Sequence, residues 1–194
     1  MNRWVVMVVV CGVVGSALAT TMVSLDVPAL ARSSALVVRG TVVRVEARWN
    51  GDRTRIFTEA EVQVAEVLKG APVKSIIVRQ PGGEVGDIGQ RVHGVARFEE
   101  GVEQVLFLER RGPLYTVTGM AQGAFTLHAE GTQLVAKQPT TDELALVDSA
   151  THQPVAHAPI AMPYPALVAL VRASASTGAP ASPTPAPLVT PVAP

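Results

Sequence analysis

The residues best able to do chemistry crowd into one glycine-rich stretch, Pro81 to Gly94. There Glu84, Asp87, Arg91 and His93 are interspersed with Gly82, Gly83, Gly86, Gly89 and Gly94. Backbone amides in such a loop can cradle a phosphate, but that chemistry needs a Gly-Lys-Ser/Thr ending that feeds a helix. This loop holds no lysine, and the residues after Gly89 read as the approach to a strand. Its length is unusual for a connection inside a small domain, which marks it as a binding loop or a mobile rim. Glu84, Asp87, Arg91 and His93 are therefore candidate binding residues. Trp49, beside a hairpin turn, joins them as a stacking platform for a sugar or as a plug for a barrel mouth. In a second reading Glu84, Asp87 and His93 supply the acid and base groups of a hydrolase.

The other reactive side chains form no recognisable set. Zinc sites draw on closely spaced ligands such as i and i+4 on a helix. His152 and His157 lie five apart in a proline-containing loop, and His93 and His128 stand alone. A serine nucleophile is often marked by a Gly-x-Ser-x-Gly elbow, and no such pentapeptide occurs. Glu99 and Glu100 flank a turn glycine, where solvated acids are ordinary. Glu59 and Glu61 share a strand face and are matched across the hairpin by Arg44 and Arg48, a charge ladder that serves stability. No catalytic residue, metal or cofactor is expected.

Composition narrows the setting. Arg3 followed by the apolar run Trp4 to Gly15 and the small-x-small Ala17-Leu18-Ala19 reads as a secretory signal peptide cleaved after Ala19. After cleavage no membrane span is expected, and the protein is secreted, periplasmic or at the cell surface. Cys11, the only cysteine, falls within that signal. The exported chain therefore has no thiol for a disulfide, a nucleophile or a thiolate metal site. Lysine and arginine total 16, as do aspartate and glutamate. Such a chain lacks the basic field that nucleic-acid binding needs.

The elements that must position the loop are strands. Asp26 as a cap and Pro28 in the first turn predict a short helix within Ser24 to Ser34. From Ala35 the period is two: Val37, Thr41, Val43, Val45 and Ala47 on one side, Arg44, Glu46 and Arg48 on the other. Gly40 suggests a bulge. Asn50-Gly51-Asp52 signals a tight hairpin turn. Ile56 to Leu68 returns, with Ile56, Thr58, Ala60, Val62 and Val64 facing one way and a phase slip near Ala65 to Leu68. Shorter strands come next at Ser75 to Arg79, Val102 to Glu109, Tyr115 to Thr118, Ala124 to His128 and Gln133 to Ala136. Glycine turns at this spacing argue a small barrel or sandwich. Thr140 to Leu146 reads as one helical turn capped by Thr141 and Asp142, and Tyr164 to Ala173 as a helix. Thr177 to Pro194 carries six prolines and no charge, the composition of a disordered tail.

Three segments carry a resemblance: Leu36-Val-Val-Arg-Gly-Thr-Val-Val-Arg-Val, Thr58-Glu-Ala-Glu-Val-Gln-Val-Ala-Glu-Val-Leu-Lys-Gly, and Gly101-Val-Glu-Gln-Val-Leu-Phe-Leu. Their order resembles that of netrin-like domains, which include the tissue inhibitors of metalloproteases, and of bacterial exported proteins with the same strand order. The likeness covers about Ala35 to Phe125. It implies a five-stranded OB-type barrel with flanking helices. Those inhibitors chelate the protease zinc through an N-terminal cysteine and are stapled by disulfides. The exported chain, beginning near Thr20, has no cysteine, so their mechanism is not implied.

The fold expected is mainly β: a small antiparallel OB-like β-barrel with short flanking helices and a disordered Pro-rich C-terminal tail. Its divisions are a signal peptide over 1–19, a helical lead-in over 20–34, the barrel over 35–137, an irregular segment with a helix over 138–174, and a tail over 175–194. The expected role is a non-enzymatic binding module for a protein or glycan partner outside the cytoplasm. The alternatives are the hydrolase, or an accessory partner or inhibitor of a secreted protease.

Overall fold

The computed structural model describes residues 20–140, 144–148, 151, 153–155 and 159–177. The signal segment, Cys11, Thr141, Asp142, Ser149, His152, His157 and the proline-rich tail lie outside the described residues. The chain runs β1 (Thr20–Val23), α1 (Val27–Ser33), β2 (Leu36–Trp49), β3 (Ile56–Lys69), β4 (Ser75–Pro81), β5 (Gly83–Val85), β6 (Ile88–Gln90), β7 (Glu103–Arg111) and β8 (Leu114–Val117). A 3-10 turn (Met120–Gly123) leads to β9 (Ala124–Glu130), β10 (Gln133–Lys137), β11 (Leu144–Val147), β12 (Pro154–Val155), β13 (Ala161–Pro163) and α2 (Tyr164–Thr177). It is a small mixed α/β domain dominated by antiparallel sheet. Among the described residues no helix is long and apolar enough to cross a membrane.

β2 and β3 form the spine. Their ladder slips at Val37/Val38, Arg39/Gly40 and Val42/Arg44, so the bulge at Gly40 and the phase slip near Leu68 are present. A Cβ on Gly40 would come within 2.5 Å of the Gln63 carbonyl oxygen, which is why glycine stands at that close approach. The third slip corrects the expected facing: the bulge at Val43 leaves it 44% exposed and turns Val42 into the core instead. It also rearranges the charge ladder. Arg44 and Arg48 converge on Glu46 of their own strand, while Glu59 pairs with Arg79 of β4. The turn is wider than Asn50-Gly51-Asp52 implied. Asn50 closes it, donating its amide to the Arg55 carbonyl at 2.8 Å and accepting from the Thr54 amide at 2.8 Å, with Arg53 in the left-handed region.

The strand pairings run in a ring. β2 pairs β3, β3 pairs β4, β8 pairs β7 and β7 pairs β2, all antiparallel; β4 meets β8 in parallel through the single pair Val78↔Tyr115. β7 also pairs β9, which carries β10 and β13 outward. β7 is therefore buried on both faces. Leu106 and Leu108 pack inside the ring with Val38, Val42, Val62 and Val78, whereas Val105 and Phe107 pack against the two helices with Leu30, Phe125, Leu167 and Val171. This double burial explains its nearly continuous apolar sequence.

α1 begins where the cap requires: the Asp26 carboxylate accepts from the Ala29 amide at 2.7 Å. At its other end the Lys69 ammonium donates to the carbonyls of Ala31 (2.6 Å) and Ser34 (2.7 Å), satisfying orphaned acceptors at a helix C-terminus. α2 is clasped to the sheet by the Tyr164 hydroxyl, which donates to Glu66 at 2.6 Å, and by Arg172 on the same carboxylate. Arg39, paired with Glu103 at 2.7 Å, lies over the Tyr164 ring.

A small sheet, β1-β11-β12, takes up Leu144 to Leu146, the last part of the expected helical turn, whose expected caps Thr141 and Asp142 lie outside the described residues. β11 pairs in parallel with β1 and antiparallel with β12, and Leu146 packs on Ala121 and Met22. Pairing on both edges satisfies this backbone better than a single helical turn could. Buried amide side chains tie the pieces together. Gln122 accepts from the Leu25 amide (2.9 Å) and donates to the Val23 carbonyl (3.0 Å). Gln138 donates to the Gln122 carbonyl (2.7 Å) and accepts from the Ile160 amide (3.0 Å).

Candidate functional site

The stretch from Pro81 to Gly94 is partly ordered as a hairpin. β5 and β6 pair across Gly86-Asp87, and the hairpin lies on the β2–β3 spine. The Gly82 amide donates to the Ile56 carbonyl (2.8 Å), the Thr58 hydroxyl donates to the Gly82 carbonyl (2.7 Å), and the Ile56 amide donates to the Gln90 side-chain oxygen (2.8 Å). Gly82 and Gly83 both have positive φ, and a Cβ on Gly83 would fall 2.6 Å from the Thr58 hydroxyl and 2.9 Å from the Ala47 methyl. Only glycine lets the chain lie this flat on the strands.

Residues 91–102 then cross the end of the ring as a strap. Ala96 is buried in the ring core, the Arg97 carbonyl accepts from the Gln104 side chain at 3.1 Å, and the Gly94 carbonyl accepts from the Ala121 amide at 2.9 Å. The strap meets β2 through Val42, which exchanges hydrogen bonds with Gly101 and Val102, and through Glu100, whose carboxylate accepts from the Val45 amide at 2.9 Å.

Between hairpin and strap opens a cleft of about 930 Å³, within the roughly 300–1,000 Å³ span of small-ligand sites. Its walls mix charge and apolar surface, with Glu84, Glu99, Arg91 and Arg97 beside Phe98 and Val45 in the lining. Gln80 also lines it, and its side-chain oxygen is buried with no hydrogen-bond partner among the described residues. A buried acceptor left unpaired costs about 1–3 kcal/mol, and this oxygen is sealed beneath the cleft wall and does not open into it.

Of the five residues singled out in the sequence, two line this cleft, Glu84 and Arg91. Asp87 sits at the exposed hairpin tip, and His93 is exposed and outside the cleft wall. Neither Arg91 nor His93 is without a polar or electrostatic partner. Trp49 lines a separate hollow of about 230 Å³ with Arg48, Phe57, Glu59 and Arg79, and the Arg79 guanidinium lies over the Phe57 ring. Glu84, Asp87 and His93 therefore do not share one wall. Among the described residues no three of His, Cys, Asp or Glu gather as a metal would require.

Gln80, Arg97 and Phe98 were missed. Gln80 was legible: it continues the inward alternation of Ile76 and Val78, and a polar residue at the third inward position marks where the core gives way to a mouth. Arg97 and Phe98 carry no such signal, because the strap has no period of its own. No family model matches this chain, and no curated protein sequence matches it.

Proposed function

We propose that the chain is an exported, non-enzymatic binding module built on an OB-type barrel, whose cleft takes an extended segment of a protein partner. The ring order β2-β3-β4-β8-β7, with β8 returning parallel to β4, supports the barrel, because it fits a five-stranded Greek-key closure. A helix before it and another after it fit the netrin-like resemblance. Export rests on the leader over 1–19, cleaved after Ala19.

The observation that carries the binding role is the cleft itself, whose lining combines carboxylates, guanidinium groups and Phe98. A peptide offers what such a wall can use: backbone amides and carbonyls for its carboxylates and guanidinium groups, and apolar side chains for Phe98. Selection of a random peptide display pool on the full chain tests this. Enriched peptides should lose binding to Arg97→Ala and Phe98→Ala variants whose melting is unchanged. Peptides that bind both variants as well as the parent would remove the cleft from the reading. A glycan stacked on Trp49 is the second reading, favoured by the aromatic and charged lining of its hollow. Quenching of Trp49 fluorescence by oligosaccharides checks it.

A further inference from the structure

The ladder leaves one strand edge open. β7 covers β2 only from Leu36 to Thr41, and the strap covers Val42. Beyond that, β2 has a partner on one side only. The direction of its free groups is set by the alternation of antiparallel pairs. Asn50 hydrogen-bonds across the hairpin, so Arg48 and Glu46 do likewise, and Trp49, Ala47 and Val45 turn their amides and carbonyls away from β3. Two contacts agree: the Val45 amide goes to Glu100, and Ile56, opposite Trp49, bonds away from β2 to Gln90 and Gly82. No hydrogen bond among the described residues reaches Ala47 or Trp49 on that outer side.

We propose that this edge, Val45–Trp49, pairs antiparallel with the same edge of a second copy about a two-fold axis at Ala47. The segment Val45-Glu46-Ala47-Arg48-Trp49 is its own complement in that register. Ala47 meets Ala47, and each exchanges both backbone bonds with its mate. Val45 lies opposite Trp49, a β-branched residue beside an aromatic one. On the outer face Glu46 lies opposite Arg48, twice, so each carboxylate trades the Arg48 of its own strand for that of the second copy. Sliding by one step in either direction destroys the match, setting Glu46 on Glu46 or Arg48 on Arg48. Direct cross-strand pairs reward the first register and penalise the other two. Glu100 is exposed and guards the edge, because the Val45 amide must release its carboxylate before Trp49 of the second copy can accept there. Charged guards of this kind are how open edges are kept from pairing indiscriminately. The pairing is isologous and closed, so it stops at two copies.

Sedimentation velocity of the full chain across a concentration series tests it. The parent should show a concentration-dependent dimer. Glu46→Arg and Arg48→Glu should each weaken self-association by about tenfold. An equimolar mixture of the two single variants, and the double variant alone, should regain it. Glu100→Ala should raise the dimer fraction. Ala47→Pro removes only an outward amide, which edge strands tolerate, and should abolish the dimer while the melt stays close to that of the parent. A parent that stays monomeric at the highest concentration overturns the proposal, as does a dimer indifferent to both charge reversals. Peptide capture by the cleft is a separate readout, so either reading can fail alone.

Discussion

Gln122 holds the chain's first described segment to the body of the domain, and replacing it by leucine isolates that role. The residue is 3% exposed. Leucine has nearly the same volume and fills the space, so the loss comes from two hydrogen bonds. The Leu25 amide loses its acceptor at 2.9 Å and the Val23 carbonyl its donor at 3.0 Å. Each neutral bond contributes about 0.5–1.5 kcal/mol net, and a buried group left unpaired costs about 1–3 kcal/mol. Val23 is 38% exposed, so water compensates its carbonyl, whereas the half-buried Leu25 amide bears most of the penalty. The expected cost is about 2–3 kcal/mol, or a fall in Tm of about 4–12 °C for a chain of this size. The assay is urea unfolding followed by amide exchange: the midpoint falls and the Leu25 amide loses its protection, while amides of β7 keep theirs relative to the new global stability. Gln138→Leu in the same background should be non-additive, because Gln138 donates to the Gln122 carbonyl at 2.7 Å. A cost below about 0.5 kcal/mol with Leu25 still protected would refute the clamp.

Gly40→Ala should destabilise by about 2–3 kcal/mol, as overpacking does, because the new methyl would lie 2.5 Å from the Gln63 carbonyl oxygen and 2.8 Å from a Val62 methyl; a urea midpoint within error of the parent contradicts the bulge. Tyr164 should make stability fall in alkali. Burial, and then its bond to the Glu66 carboxylate, push the hydroxyl up to about 12 from an ordinary 10.0. A raised pKa gives stability that is complete below pH 10.0 and is lost as the pH climbs toward 12. The gap in urea midpoint between the parent and Tyr164→Phe should therefore be widest near neutrality and narrow by pH 11; a gap that stays constant would deny that ionisation breaks the clasp.

What could be read from the sequence was whatever is local. Asp26 and Pro28 fix the start of α1 because a cap and its helix are neighbours in the chain. Ile56, Ala60 and Val62 face the core as their alternation implies, and the apolar run in β7 matches its burial on both sides. The hairpin β5–β6 was also within reach, since Val85-Gly86-Asp87-Ile88 is a two-residue turn between apolar positions, but the surrounding glycines masked it. The failures lie where distant segments decide. Val43 faces solvent because a slip against β3 inserts it as an extra residue, and nothing in β2 alone marks which of two adjacent valines is extra. β11 pairs with β1 across more than a hundred residues, and parallel pairing has no turn to announce it. The cleft was half legible: Glu84 and Arg91 from the glycine loop, but not the strap opposite, whose place depends on Gln104, Ala121 and Val42 receiving its backbone.

The loop of strands is fastened unevenly. Elsewhere in the ring neighbouring strands share several ladder pairs, whereas β4 and β8 share one, Val78↔Tyr115, and are joined otherwise by the packing of Ile76 and Val78 with Tyr115 and Val117. Side-chain burial therefore does most of the joining at this seam, whereas β7 is held by ladders on both edges and packed on both faces. Gln80 stands two residues beyond Val78, so the cleft lies beside the join with the fewest backbone bonds. The shape of the cleft's mouth is thus set by interlocked side chains more than by a hydrogen-bonded ladder, so changes of side-chain size there act on the mouth without cutting backbone bonds.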